Sequence, residues 1–169
     1  MIDWAAVTIE DDHVAALRLL LQDGPQAWER LQRQEMSTDQ GAAAYMQMFH
    51  AVFTIAVRRK FAPTYTAHDI VRYTAKLRIE LKEHGDDDVN PRIAENAIRG
   101  ALGDPTLRSD DRVEAIEDVQ GLEYLIAAQM VVLFDVLLAE EESDEGAAEE
   151  YVREALDLAR RWVRERQAA

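Results

Sequence analysis

The stretch "GAAAYMQMFHAVFTIAVRRK", Gly41 to Lys60, decides the kind of fold this chain adopts. Its apolar residues do not alternate with polar ones, which is the strand signature. Tyr45, Met48, Phe49, Val52, Phe53, Ile55, Ala56 and Val57 instead cover most of a helical circumference. Gln47, His50, Thr54 and Arg58 recur at spacings of three, four and four, so they form one polar stripe down the helix. A helix with so wide an apolar arc belongs in a protein core or in a bilayer. The run from Gly41 to Val57 has 17 residues and contains Gln47 and His50, whereas a span needs about 20. A second run, "LEYLIAAQMVVLFDVLL" from Leu122 to Leu138, is equally short and carries Glu123, Gln129 and Asp135. Both are therefore expected to be central helices of a soluble core, facing each other, with no membrane involved.

Around these runs the stop and start residues are helical. Ser37 and Gln40 fit a capping box ahead of the first run, and Phe61-Ala62-Pro63 ends it. Thr8 to Asp11 cap a helix with Val14, Leu17, Leu20 and Leu21 on one side, and Pro25 opens a short helix with Trp28 and Leu31. Thr66 to Asp69 cap a helix with the stripe Ile70, Tyr73, Thr74, Leu77 and Leu81. Pro91 opens one with Ala94, Ala97, Ile98, Ala101 and Leu102, stopped by Gly103-Asp104-Pro105. The second run reads as one long helix from about Asp110, through Val113, Ile116 and Val119, with a soft point at Gly121. Ser143 and Asp144 cap a last helix carrying Val152, Ala155, Leu156, Ala159, Trp162 and Val163. The expectation is an all-α chain: one domain over residues 1–169, a bundle-like array of six or seven helices. Two of them, about 40–61 and 110–141, are central and highly apolar.

Composition limits the chemistry. With 169 residues, 48% of them apolar, the chain is long enough to bury about 70% of its unfolded surface. The net charge of −14 repels nucleic-acid phosphate and anionic lipid, so a charge-driven partner would be a basic protein. No cysteine means no disulfide, no thiolate metal ligand and no thiol nucleophile. Met1-Ile2-Asp3-Trp4 does not begin a secretory signal, and a cytoplasmic location is expected.

Partial motifs fail on spacing. Asp86, Asp88 and Asn90 match the opening of a calcium loop, but Pro91 stands where the turn needs Gly and Ala97 where a bidentate Glu should close the site. Glu10-x-x-His13 is a single copy of a motif that di-metal bundles need twice, and His13, His50, His68 and His84 share no helical turn. Each histidine is expected at the surface or at a cap. Ser37, Ser109 and Ser143 sit at caps or loops, and no phosphate loop or nucleophile elbow occurs. Arg58-Arg59-Lys60 is an isolated basic run rather than a DNA-reading face. The "LRLLLQDG" and "HGDDDVN" segments resemble the end of the second helix of an ankyrin repeat. Gly24 and Gly85, however, lie 61 residues apart, which does not fit a repeat of about 33.

The expected function is thus a non-enzymatic helical interaction or scaffold protein that self-associates as a homodimer, with no cofactor, metal or nucleic acid. The alternatives are an acidic, immunity-like neutraliser of a basic protein, or a small-ligand-binding bundle. The candidate polar core or ligand-facing residues are Gln47, His50, Arg58 and Asp135. An acid on so apolar a helix needs a partner if buried, and Arg58 or His50 is the expected one for Asp135.

Overall fold

A computed structural model describes residues 2–85, 89–112, 115–141 and 146–169. The aspartates of the calcium-like run and the expected caps Ser143 and Asp144 lie outside the described residues. The described chain is all-α, with seven α-helices, three short 3-10 turns and no strand.

Local hydrogen bonding explains where the helices begin. At α1 (Asp11–Asp23) the backbone amide of Glu10 donates to His13 Nδ1 at 3.0 Å. A ring nitrogen here takes the part that a Glu or Gln side chain plays in a capping box. His13 is a cap, as expected, but it is also buried. After α2 (Trp28–Glu35), α3 (Asp39–Phe61) is capped by Thr38, whose hydroxyl accepts from the Gly41 amide at 3.0 Å; the Ser37 hydroxyl donates back to the Gln34 carbonyl instead. α3 stops at Phe61, before a cis Ala62-Pro63 bond. α4 (Ala67–Glu83) opens with a reciprocal box between Thr66 and Asp69. α5 (Pro91–Ala101) opens with the Asn90 side chain accepting from the amides of Arg92 and Ile93.

The second apolar helix departs from expectation. α6 runs Val119–Glu141 and does not start near Asp110, where Ser109–Asp111 form a separate 3-10 turn. Asp118 Oδ1 accepts from the Gly121 amide at 2.6 Å, so a carboxylate satisfies one of the orphan donors of the first turn and fixes the start there. Gly121, expected as a soft point inside the helix, is its third residue. A Cβ there would come within 2.8 Å of Ile116 Cγ2. The last helix, α7, spans Ala147–Ala168.

Contacts gather in two compact units, residues 1–55 with 137–169 and residues 56–136, and both α3 and α6 contribute to each. In the first unit α1 packs on α2 and α7. Leu17, Leu20, Leu31, Tyr45, Phe49 and Tyr151 are essentially inaccessible, each large apolar side chain contributing about 1.5–3 kcal/mol by leaving water. Trp28 lies over this core with ring centroids 6.0 Å from Tyr45 and 5.7 Å from Phe49. The chain ends are clasped in the same unit: Arg166 stacks 4.5 Å over the Trp4 ring, and Gln167 Nε2 donates to the carbonyls of Trp4 and Val7.

In the second unit α4 packs on α5 through Ile70, Thr74, Leu77, Ala94 and Ile98. The Thr74 hydroxyl lies 3.1 Å from Glu95 Oε1. The turn after α5 needs Gly103 at φ +69° and is then held by Asp104, which accepts from Arg99 Nε at 2.8 Å and from the Thr106 amide and hydroxyl. Those donors, the Arg99 guanidinium first, hold the Asp104 carboxyl down at about 2.

A candidate interaction face on the second apolar helix

α6 is apolar on nearly every side, so burial alone distinguishes its faces. Leu125, Ala128, Gln129, Met130, Val132, Leu133 and Val136 point into the core. The outward positions of the second unit are Tyr124, 42% exposed, and the half-buried Ala127, Val131 and Phe134, at spacings of three, four and three. Leu138, 62% exposed, continues the step along the helix, and Leu122 and Val119 are also exposed near its start. A surface helix normally places charged residues on this side. Here only Gln120, Glu123 and Asp135 interrupt the apolar positions. Alternating steps of three and four are the spacing of a helix that seats its knobs in a facing helix.

This face was not identified from sequence. A helix with so few polar positions has no visible outward side, and the described helix also changes the membrane argument. The 17-residue run was expected to be too short, but α6 has 23 residues, and its Val119–Glu140 part is long and apolar enough by length and composition to cross a bilayer, with 44% of its most apolar window buried within the chain.

Asp135 borders the apolar stripe and belongs to a polar cluster in the second unit. Its Oδ2 accepts from the Tyr73 hydroxyl at 2.7 Å and lies 4.0 Å from Lys60 Nζ. Lys60 Nζ also sits 4.7 Å from the Tyr73 ring centroid, and Phe61 meets that ring edge-on at 5.4 Å. Burial, reinforced by the bond to Asp135, pushes the Tyr73 phenol well above its ordinary value. Asp135 is thus half-buried and paired, but with Tyr73 and Lys60. Arg58, the expected partner, donates from Nε to the Ala101 carbonyl at 3.0 Å. By sequence Lys60 belongs to an isolated basic run and Tyr73 to an apolar stripe, so neither is marked there as a partner for Asp135. The polar stripe of α3 is not a wet edge. Gln47 and Thr54 are buried and His50 half-buried, and only Arg58 is exposed.

Each unit also carries a cleft. One in the second unit, about 260 Å³, is lined by Asn90, Arg92, Asn96, Asp111, Arg112 and Ile116, and the Arg92–Asp111 pair crosses at 3.0 Å. One in the first unit, about 580 Å³, contains the two-pronged Arg18–Glu149 bond. That bond raises the Arg18 guanidinium and lowers the Glu149 carboxyl. In the α4 box the Thr66 hydroxyl and amide hold Asp69 low. Arg18, Glu149, Asp69, Asp104 and Tyr73 each belong to a cap, a turn or a pair tying two segments together. No group of three or more His, Asp or Glu side chains able to hold a metal occurs among the described residues.

No protein-family model, curated protein or solved structure matches the chain.

Proposed function

We propose that this chain is a non-enzymatic helical scaffold that self-associates through the outward face of α6. The observation that carries the reading is the outward stripe of exposed Tyr124 and half-buried Ala127, Val131 and Phe134 at coiled-coil spacing on a helix that is apolar on nearly every side. Continuous apolar surface of this kind marks a binding site or an aggregation hazard. A second copy is the commonest cover among soluble proteins.

Sedimentation equilibrium over a wide concentration range tests the reading, with salt as the diagnostic variable. Two chains of net charge −14 repel, so an apolar contact between them tightens as salt screens the repulsion. Docking of the same chain on a basic protein would weaken with salt. The expected result is a concentration-dependent dimer, strengthened by salt and lost in Val131→Lys with helicity unchanged. A constant monomer mass, or a Val131→Lys variant that associates like the parent, overturns it.

A further inference from the structure

We infer that the cleft of the second unit, where the start of α5 meets the Ser109–Asp111 turn, binds a small aliphatic zwitterion of the class of a free branched-chain amino acid. The cleft, about 260 Å³, is lined entirely from within residues 56–136. Drug-sized ligands occupy about 300–1,000 Å³, so the occupant here is smaller than those.

Most of the polar groups lining the cleft are already engaged. Arg92 Nη2 lies 3.0 Å from Asp111 Oδ1, and this pair neutralises itself. Asn90 Oδ1 accepts from the amides of Arg92 and Ile93. Asp118 Oδ1 accepts from the Gly121 amide at 2.6 Å, and its charge is answered by the positive end of α6. Two charged groups are left over. The Arg112 guanidinium has no partner among the described residues, and Asp110 accepts only from the neighbouring Ser109 hydroxyl at 3.2 Å. The half-buried Asn96 amide is likewise without a partner among the described residues, and it can both donate and accept. Ile93 and Ile116, also half-buried, supply an apolar wall.

A ligand that suits these groups brings an anion for Arg112, a cation for Asp110 and an aliphatic part for the two isoleucines. A simple carboxylic acid answers Arg112 but is repelled by Asp110, and a simple amine has the opposite fault. An α-amino acid carries both charges on one carbon. Its carboxylate accepts from Arg112 and Asn96, its ammonium donates to Asp110, and its branched side chain leaves water against Ile93 and Ile116. The mouth is open beside Arg92, 75% exposed, so water competes for both charges. A Kd on the order of 1 mM follows. No lining residue belongs to the outward stripe of α6, so this site and the self-association reading stand or fall separately.

An amide-resolved NMR titration of the full chain with L-leucine is the test, with isocaproate and isoamylamine as analogues that each lack one of the two charges. The expected result is saturable shifts at Ile93, Asn96, Arg112 and Ile116 with L-leucine. Either analogue should bind about ten-fold more weakly or worse, the loss that one charge-assisted bond implies. Arg112→Gln and Asp110→Asn change side chains that tie no distant segment. Each should weaken L-leucine about ten-fold with helicity unchanged. Either analogue binding as tightly as L-leucine, or parent-like affinity in either variant, overturns the proposal. So does the absence of saturable shifts at the cleft up to about 10 mM L-leucine.

Discussion

The bond between Tyr73 and Asp135 makes a sharp quantitative prediction, because sequence reasoning named a different partner for the same acid. The perturbation is a pair of double-mutant cycles on folding stability, one on Tyr73→Phe with Asp135→Ala and one on Arg58→Ala with Asp135→Ala. The Tyr73 hydroxyl reaches Asp135 Oδ2 at 2.7 Å. A hydrogen bond to a charged group is worth about 1.5–3 kcal/mol when buried. Because the Asp135 side chain is 32% exposed, solvent screening reduces this to about 1–2 kcal/mol. Lys60, 4.0 Å away and equally exposed, adds at most about 0.5 kcal/mol. Arg58 spends its Nε on the Ala101 carbonyl, so its cycle should be additive within about 0.5 kcal/mol. Urea denaturation followed by far-ultraviolet circular dichroism measures each corner. A Tyr73–Asp135 coupling near zero, or an Arg58–Asp135 coupling above about 1 kcal/mol, would refute the arrangement. The pH dependence supplies a second check. The Tyr73 phenol is raised in the folded protein, whereas an unfolded tyrosine loses its proton near pH 10. Above that pH the unfolded state binds fewer protons than the folded one, so this contribution to stability is full below about pH 10 and falls as pH rises further. Tyr73→Phe should show a shallower alkaline loss than the parent.

Two further substitutions separate local rules from tertiary ones. Gly121→Ala in an ordinary helix would stabilise by about 1 kcal/mol. Here the added methyl meets Ile116 Cγ2 at 2.8 Å and the Asp118 carboxylate at 3.1 Å, so a net loss of about 1–2 kcal/mol is expected in chemical denaturation. A gain would show that the cap accommodates it freely. Gln129 Oε1 is buried with no hydrogen-bond partner among the described residues, and Gln129→Met should raise the denaturation midpoint by the equivalent of about 1–2 kcal/mol. A fall in the midpoint would mean that the amide is satisfied in solution.

What was legible in the sequence was local. Period, caps and stops predicted six or seven helices, and the described chain has seven, most of them near their expected places, because an amphipathic stripe and a capping oxygen lie within four residues of the backbone groups they serve. Ile70, Thr74 and Leu77 of α4, and Ala94, Ala97 and Ile98 of α5, are buried as their spacing required. The errors are also local and informative. The pattern through Val113 and Ile116 suggested an earlier start for α6, but the Asp118 carboxylate decides it. Ser37 looked like the cap that Thr38 provides.

The candidate site was less legible. Asp135 stood out as an isolated acid on an apolar helix, yet its partner Tyr73 lies 62 residues away and had been assigned to an apolar stripe. The outward stripe of α6 had no sequence signal of its own, since a helix apolar all round carries no mark of which side faces solvent. By itself the sequence determined that this chain is helical and where most of its helices lie, because those choices are settled by neighbours a few residues apart. Which apolar side chains stay uncovered, and which group meets Asp135, only the tertiary structure decided, because burial depends on segments brought together from distant parts of the chain.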